Sequence, residues 1–114
     1  MFGQDVGQDF GQDGTIIRIE PTANVAADPA RGFEIDPAQL IAAEIMTRQG
    51  GDLLIGYYHS HPNGRADPSP CDAAASAGDG RLWLIIAGKA VTAWRAVAGG
   101  THLGAFDPVD LGAV

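Results

Sequence analysis

Residues 53–72 read LLIGYYHSHPNGRADPSPCD, and this stretch decides how the chain folds around its functional residues. The first part, Leu53–Tyr58, is almost wholly apolar, which is typical of a β-strand that is buried on both faces. The strand leads directly into His59 and His61, whose alternation lets both side chains point to the same side as the chain leaves the sheet. Asp72 follows in the first turn of a predicted helix. The stretch therefore predicts that two imidazoles and one carboxylate converge.

This set of side chains has the chemistry of a zinc site. Imidazole nitrogens and carboxylate oxygens are ligands that Zn²⁺ prefers, and three protein ligands leave a fourth tetrahedral position for water, as in catalytic zinc sites. A water molecule in that position has its pKa lowered to about 7. We therefore predict that His59, His61 and Asp72 bind Zn²⁺, and that Ser69 donates a hydrogen bond that stabilises an oxyanion.

Each part of the pattern also has a simpler interpretation. His59 and His61 are also explained as solvent-exposed residues at a strand end. Ser69 and Asp72 have the spacing of a capping box, and a carboxylate near a helix N-terminus is favourable whether or not it binds metal. The combination of a buried strand, a His-Ser-His-Pro sequence, a seven-residue spacing and Ser-x-x-Asp at a new helix favours the metal site.

Upstream of this stretch we predict one strand and one helix. β-Branched residues at 15–20 indicate a strand that ends at a proline. Asp36 and Pro37 are typical of a helix start, since aspartate caps well and proline suits the first turn. Ile41 and Ile45 lie one turn apart on what we expect to be the apolar face of this helix.

Downstream of the central stretch, an alanine-rich helix begins at Ser69, and residues 81–87 form a second buried strand. A Gly-Lys turn then leads into a strand at 91–95, which predicts a hairpin. The segment 99–114 is punctuated by glycine and proline, and we expect it to be irregular, with His102 in a surface loop. Taken together, these elements predict one mixed α/β domain without a linker.

The first fourteen residues contain a four-residue repeat, FGQD-VGQD-FGQD-G. Because a glycine in every repeat opposes helix formation, we expect residues 1–14 to be a flexible or hairpin-like surface segment ahead of a domain at 15–114. A calcium-binding aspartate array is the alternative, but the repeat lacks the Asp-x-Asp-x-Asp-Gly spacing that such a loop uses.

The composition limits the classes of partner. The chain has 114 residues, is 46% hydrophobic and carries a formal net charge of −7, so it is one small acidic domain. This charge repels the nucleic-acid backbone and offers no polybasic patch for anionic lipids. No signal peptide or membrane span is evident, and one cysteine excludes an internal disulfide, so we expect a cytoplasmic protein. A protein, peptide or small molecule remains as the partner.

Residues 59–72 resemble the metal-binding motif of the JAMM/MPN+ (JAB domain) zinc metallopeptidases, Glu…His-Ser/Thr-His-x7-Ser-x-x-Asp. The order of elements over Thr15–Val97 is also similar to that of small bacterial members. The resemblance implies a curved mixed sheet flanked by helices, similar to cytidine deaminases. It also implies cleavage of a peptide or isopeptide bond, with ubiquitin-like proteins and ubiquitin-like sulfur carriers as candidate substrates. The resemblance assigns the zinc ion to the same three ligands and the support of the tetrahedral intermediate to Ser69.

The family's general-base glutamate comes from a segment ahead of the region that begins here near Thr15, so the resemblance implies an N-terminally truncated domain. Two explanations are open: the start of the chain is assigned too late, or the chain is a truncated paralogue. Glu20, Glu34 and Glu44 do not match that position, and we assign no general base. A second hypothesis follows: a zinc-binding module that recognises a ubiquitin-like partner without cleaving it. A third, zinc-assisted hydrolysis or deamination of a small molecule, is disfavoured because the chain lacks the Pro-Cys-x-x-Cys element of nucleobase deaminases. The oligomeric state is left open.

Overall fold

The computed structural model describes residues 6–12, 15–22, 24–26, 35, 37–51, 53–61 and 64–110. Glu34 and Asp36, which entered the predictions above, lie outside these residues. The described part contains six strands and two helices, which in chain order are β1 (Val6–Gln12), β2 (Thr15–Thr22), α1 (Pro37–Arg48), β3 (Leu53–Ser60), α2 (Pro70–Ala75), β4 (Leu82–Ala87), β5 (Ala90–Gly100) and β6 (Gly104–Val109).

The six strands form one mixed sheet in the order β2-β1-β3-β4-β5-β6. Strands β3 and β4 are parallel, as expected for two strands joined through α2, and every other neighbouring pair is antiparallel. The predicted mixed α/β fold is therefore confirmed. Neither described helix has the length and apolar character that crossing a membrane would require.

The two faces of the sheet carry separate apolar clusters. On one face Phe10 and Leu54 pack against Ala43 of α1. On the other face Trp83 and Phe106 form a cluster that includes Ala73 of α2 as a partly buried member. Since side chains alternate along β3 and β4, the two helices cover opposite faces. The two central strands alternate between buried and half-buried residues, and Leu53 is exposed, so the predicted burial on both faces is only partial.

Residues 6–12 of the repeat lie inside the sheet, between β2 and β3. Gln8, Asp9 and Phe10 are buried, so the expectation of a surface segment is wrong for this part of the repeat, although it does form a hairpin with β2. Glycine disfavours a strand as it does a helix, so the local sequence does not predict this strand. The pairing with both neighbours supplies the order that the local sequence lacks.

Two further expectations are wrong. Ile41 and Ile45 do not face the core: they are 58% and 42% exposed, because α1 packs through Ala43, whose small side chain permits a close approach to the sheet. The segment 99–114 is not wholly irregular, since 104–109 forms β6. This strand is at the sheet edge, where Pro108 removes no hydrogen bond that a second neighbour would need.

The burial of Asp9 makes a pH-dependent stability testable. Burial raises the pKa of this carboxyl from 3.8 to about 7. In the unfolded chain the group ionises at its ordinary pKa, whereas in the folded chain it stays protonated up to about pH 7, so stability falls as the pH rises between the two values. The difference between the two pKa values corresponds to a loss of about 4 kcal/mol of unfolding free energy across this pH range. We expect Asp9→Asn to remove most of this slope in urea unfolding of the metal-free protein.

Asp110 is exposed, so Asp110→Asn is the matched control and should reproduce the wild-type slope. Other titrating groups are common to all three proteins and cancel in the comparison. Parallel stability curves for the wild type and Asp9→Asn would contradict the inferred desolvation of Asp9.

Candidate metal centre

The end of β3 positions both histidines of the central motif. His59 pairs with Ile85 in the parallel β3–β4 register, and its ring packs edge-on against Trp83 with the ring centroids 5.8 Å apart. One step beyond β3, the backbone N–H of His61 donates to the carbonyl of Ile86 at 2.9 Å. Both imidazoles are therefore held next to β4, a strand that has a hydrogen-bonded neighbour on each side.

Asp72 reaches the histidines from the first turn of α2. The backbone N–H of Asp72 donates to Ser69 Oγ at 3.1 Å, and the backbone N–H of Ser69 donates to Asp72 Oδ2 at 2.9 Å. These two bonds form the capping box that the sequence predicted, with Pro70 in the first turn. The cap fixes the direction of the Asp72 side chain as well as the start of the helix.

The structure brings together all three residues that the sequence predicted as ligands. The two Nε2 atoms of His59 and His61 are 3.0 Å apart, and Asp72 Oδ2 lies 3.2 Å from the first and 3.0 Å from the second. All three side chains are buried. Burial excludes the interpretation of His59 and His61 as exposed residues at a strand end. Among the described residues no further histidine, cysteine or carboxylate joins this group.

The hydrogen bonds of His61 indicate that a positive charge is needed between its Nε2 atom and Asp72. Its Nδ1 donates to the carbonyl of Arg65 at 2.7 Å, since a carbonyl only accepts. In a neutral ring the lone pair of Nε2 then points at Asp72 Oδ2, which also only accepts. A proton or a metal cation between the two atoms removes this repulsion. In the metal-free protein the hydrogen bond with Asp72 accordingly raises the pKa of His61, against the opposing effect of burial.

The carboxylate of Asp72 remains ionised in this environment. Burial alone would raise its pKa, but hydrogen bonds from both histidines, the charge of His59 and the Ser69 N–H together bring the pKa below its ordinary value. Its second oxygen, Oδ1, is buried and lies 3.2 Å from His59 Nε2, but it accepts no hydrogen bond from the described residues. An ionised, buried oxygen without a donor is a further property of a cation site.

A cleft of about 410 Å³ opens beside these residues. One side is formed by the loop that leads into α2, and the other by the turn between β5 and β6. The residues that line the cleft are His61, Arg65, Asp67, Pro68, Ser69, Pro70, His102 and Leu103. Of the residues predicted to form the site, His61 and Ser69 therefore border the cleft.

His102 lines this cleft from the turn between β5 and β6, and does not lie in an isolated surface loop. It is partly buried, and its Nε2 is 2.8 Å from the carbonyl of Pro68. The sequence carried no signal for this placement, because His102 follows the last predicted strand and has no motif spacing to the other histidines.

The two described glutamates and the aspartate of the cleft are all held in ion pairs. Glu20 pairs with Arg18, and Glu44 pairs with Arg81 across the domain at 2.5 Å. Asp67, although it lines the cleft, pairs with Arg65 on its exposed rim. The described residues therefore supply the expected ligand set without an assigned base.

Residues 2–97 match the family described as prokaryotic homologues of the JAB domain. The chain belongs to this family. The resemblance drawn from the central motif is thus confirmed, and the matched region includes most of the N-terminal repeat.

Two curated relatives of this JAB-domain chain are enzymes. It is 34% identical over 71 residues to desampylase from Haloferax volcanii, a match that covers 62% of this chain and 51% of the relative. It is 40% identical over 57 residues to a probable TtuB-protein conjugate cleaving protease from Thermus thermophilus, a match that covers 50% of this chain and 38% of the relative. The chain thus spans about half or less of the length of the relatives it matches.

A solved structure has the same fold as this chain. The solution structure of a protein from Desulfitobacterium hafniense superposes with a TM-score of 0.71 at 24% sequence identity. The superposition covers 95% of this chain and 76% of the other. At this identity the likeness establishes the fold alone.

The capping box at Ser69 can be tested apart from any metal. Ser69→Ala removes the hydroxyl that accepts from the Asp72 N–H, so we expect the metal-free protein to lose about 1 kcal/mol of unfolding free energy in urea. Ser69→Thr retains a capping hydroxyl and should stay close to the wild type. Equal stability of Ser69→Ala and the wild type would show that the cap does not hold α2.

Proposed function

We propose that this chain is a zinc-dependent hydrolase that cleaves a peptide or isopeptide bond, with a conjugate of a ubiquitin-like protein as substrate. The observation that carries the proposal is the convergence of His59, His61 and Asp72 beside a cleft that also contains Ser69. Family membership supports the substrate class, and so do the names of the two curated relatives, desampylase and a probable TtuB-protein conjugate cleaving protease.

The donor set fits zinc in number, type and spacing. Zinc bonds to histidine and carboxylate ligands are about 2.0 Å long, so two ligand atoms of a tetrahedral site lie about 3.3 Å apart. The three ligand atoms here are separated by 3.0 to 3.2 Å. Calcium and magnesium prefer sites built from oxygen ligands, which two imidazoles do not provide.

Each residue then has a definite part in the chemistry. His59, His61 and Asp72 would hold the zinc ion, and the Arg65 carbonyl would keep His61 in the tautomer that presents Nε2. Bound zinc would supply a Lewis acid for the substrate carbonyl and a water molecule with its pKa lowered to about 7.

In this proposal Ser69 would contact the substrate directly. Its Oγ accepts a hydrogen bond from the Asp72 N–H, so the hydroxyl hydrogen remains for donation into the cleft. A donor in this position would stabilise the negative charge that develops on the carbonyl oxygen during attack. The same side chain caps the helix that carries Asp72 and would donate to the substrate carbonyl.

A second candidate function is a zinc-stabilised module that binds a ubiquitin-like partner without cleaving it. The lack of an assigned general base among the described residues favours it, since that group contributes about 10²–10⁴ to the rate. This candidate predicts zinc and partner binding without turnover.

The metal assignment predicts that the purified protein binds about one zinc ion per chain, measured by mass spectrometry of the metal content. We expect Asp72→Asn to weaken zinc binding, and the double variant His59→Ala/His61→Ala to abolish it, because the former loses the anionic ligand and the latter both imidazoles. Asp110→Asn should bind as the wild type does. Stoichiometric zinc in the double variant would overturn the assignment.

The activity is tested with a ubiquitin-like protein joined through its C-terminus to a fluorescent lysine. We expect the zinc-loaded chain to release the fluorophore and a chelator to stop the release. Ser69→Ala should lower kcat by about 10²-fold, as loss of an oxyanion donor does in other hydrolases. Binding of the conjugate without chelator-sensitive release would reject the hydrolase and favour the binding module.

A further inference from the structure

The loop 64–69 lies between His61 and α2, so both of its ends adjoin the metal centre. Within it, the Arg65 carbonyl accepts from His61 Nδ1, and the Ser69 N–H donates to Asp72 Oδ2. The loop backbone therefore orients two of the three ligands proposed above. What holds the loop in place thus determines how well the ligand set is organised.

Two side chains outside the metal centre bind carbonyls of this loop. The hydroxyl of Thr92, on β5, donates to the Ala66 carbonyl and accepts from Trp94 Nε1 at 2.9 Å. His102, in the β5–β6 turn, has Nε2 at 2.8 Å from the Pro68 carbonyl, so this nitrogen carries the hydrogen. The rings of His102 and Trp94 are in contact, with their centroids 5.0 Å apart, so the three side chains form one connected group.

His102 acts on a particular peptide unit. The Pro68 carbonyl and the Ser69 N–H belong to the same peptide group, which is trans and planar. A donor that fixes the direction of the carbonyl therefore also fixes the direction of the N–H on the opposite side. That N–H is the one that donates to Asp72 Oδ2 at 2.9 Å.

The backbone of His102 is itself firmly held. Its N–H donates to the Phe106 carbonyl at 2.8 Å, and its own carbonyl accepts from the N–H groups of Ala105 and Phe106 at 3.1 Å. Phe106 is fully buried and packs on Trp83, the residue whose ring also contacts His59. The turn and the metal centre are thus anchored in the same apolar cluster.

We propose that His102 is a positioning residue of the metal centre, which directs Asp72 Oδ2 toward the two histidines through the Pro68–Ser69 peptide. The family match ends at residue 97, so this contact comes from a part of the chain beyond the matched domain. The expected effect of His102 on metal affinity rests on the proposed zinc site. The expected effect of His102 on the Ser69 amide does not depend on any metal.

The test is amide hydrogen exchange of the ¹⁵N-labelled, metal-free chain, measured by NMR. We expect the Ser69 amide to exchange about five- to tenfold faster in His102→Ala, since its hydrogen bond is no longer held in direction. His102→Gln places an amide donor near the same carbonyl and should recover most of the protection. Thr101→Ala alters an exposed side chain of the same turn and should leave the Ser69 amide unchanged.

The exchange rate of the Ile85 amide, in the core of β4, serves as the internal control for an intact fold. Unchanged Ser69 exchange in His102→Ala would overturn the proposal. Equal loss of protection in His102→Ala and His102→Gln would also overturn it, because the effect would then come from ring packing on Trp94 rather than from the hydrogen bond.

Zinc affinity, measured by competition with a chromogenic chelator, is the second readout. Removing a residue that hydrogen-bonds directly to a metal ligand costs about 10–100-fold in metal affinity. His102 is separated from Asp72 by one further peptide group, so we expect a loss at the lower end, about tenfold, in His102→Ala. Absence of zinc binding in the wild type would reject the proposed function, whereas the amide exchange would still decide the role of His102.

Discussion

A buried carboxylate between two buried imidazoles is the constraint on which the rest of this structure depends. An isolated charge is expensive to bury, so Asp72 is tolerated only because donors surround it. The Ser69 N–H supplies one donor, and the two histidine rings face the same oxygen within 3.2 Å. A cation bound between the three residues would interact with both Nε2 lone pairs and with the carboxylate, whereas a proton on one ring would interact with only one of the two rings and the carboxylate.

The surrounding elements bring these three side chains together and bury them. The parallel pairing of β3 and β4 carries His59 beside Ile85, and Trp83 closes the space next to its ring. The helix α2 is only six residues long, so its direction depends on its capping box rather than on its own hydrogen bonds. The same two hydrogen bonds that start the helix also direct Asp72, the third proposed ligand.

Much of this arrangement followed from local patterns in the chain. The apolar run before His59, the alternation of His59 and His61, and the Ser69-to-Asp72 spacing are each properties of a few adjacent residues. These patterns predicted the buried strand, the shared direction of the two rings and the capped helix. The strong central strands and the hairpin after β4 were predictable for the same reason, since runs of β-branched and large apolar residues favour strands over short distances.

Long-range pairing decided the rest. Residues 6–12 become an interior strand because β2 and β3 offer backbone partners on both sides, which no repeat of glycine, glutamine and aspartate signals by itself. The outward direction of Ile41 and Ile45 reflects which face of α1 fits the sheet, and helical periodicity does not choose between two such faces. His102 reaches the Pro68 carbonyl only because β5 and β6 return the chain to the loop before α2. Local sequence therefore determines the proposed ligands and their immediate geometry, whereas contacts between distant segments determine how firmly these residues are held.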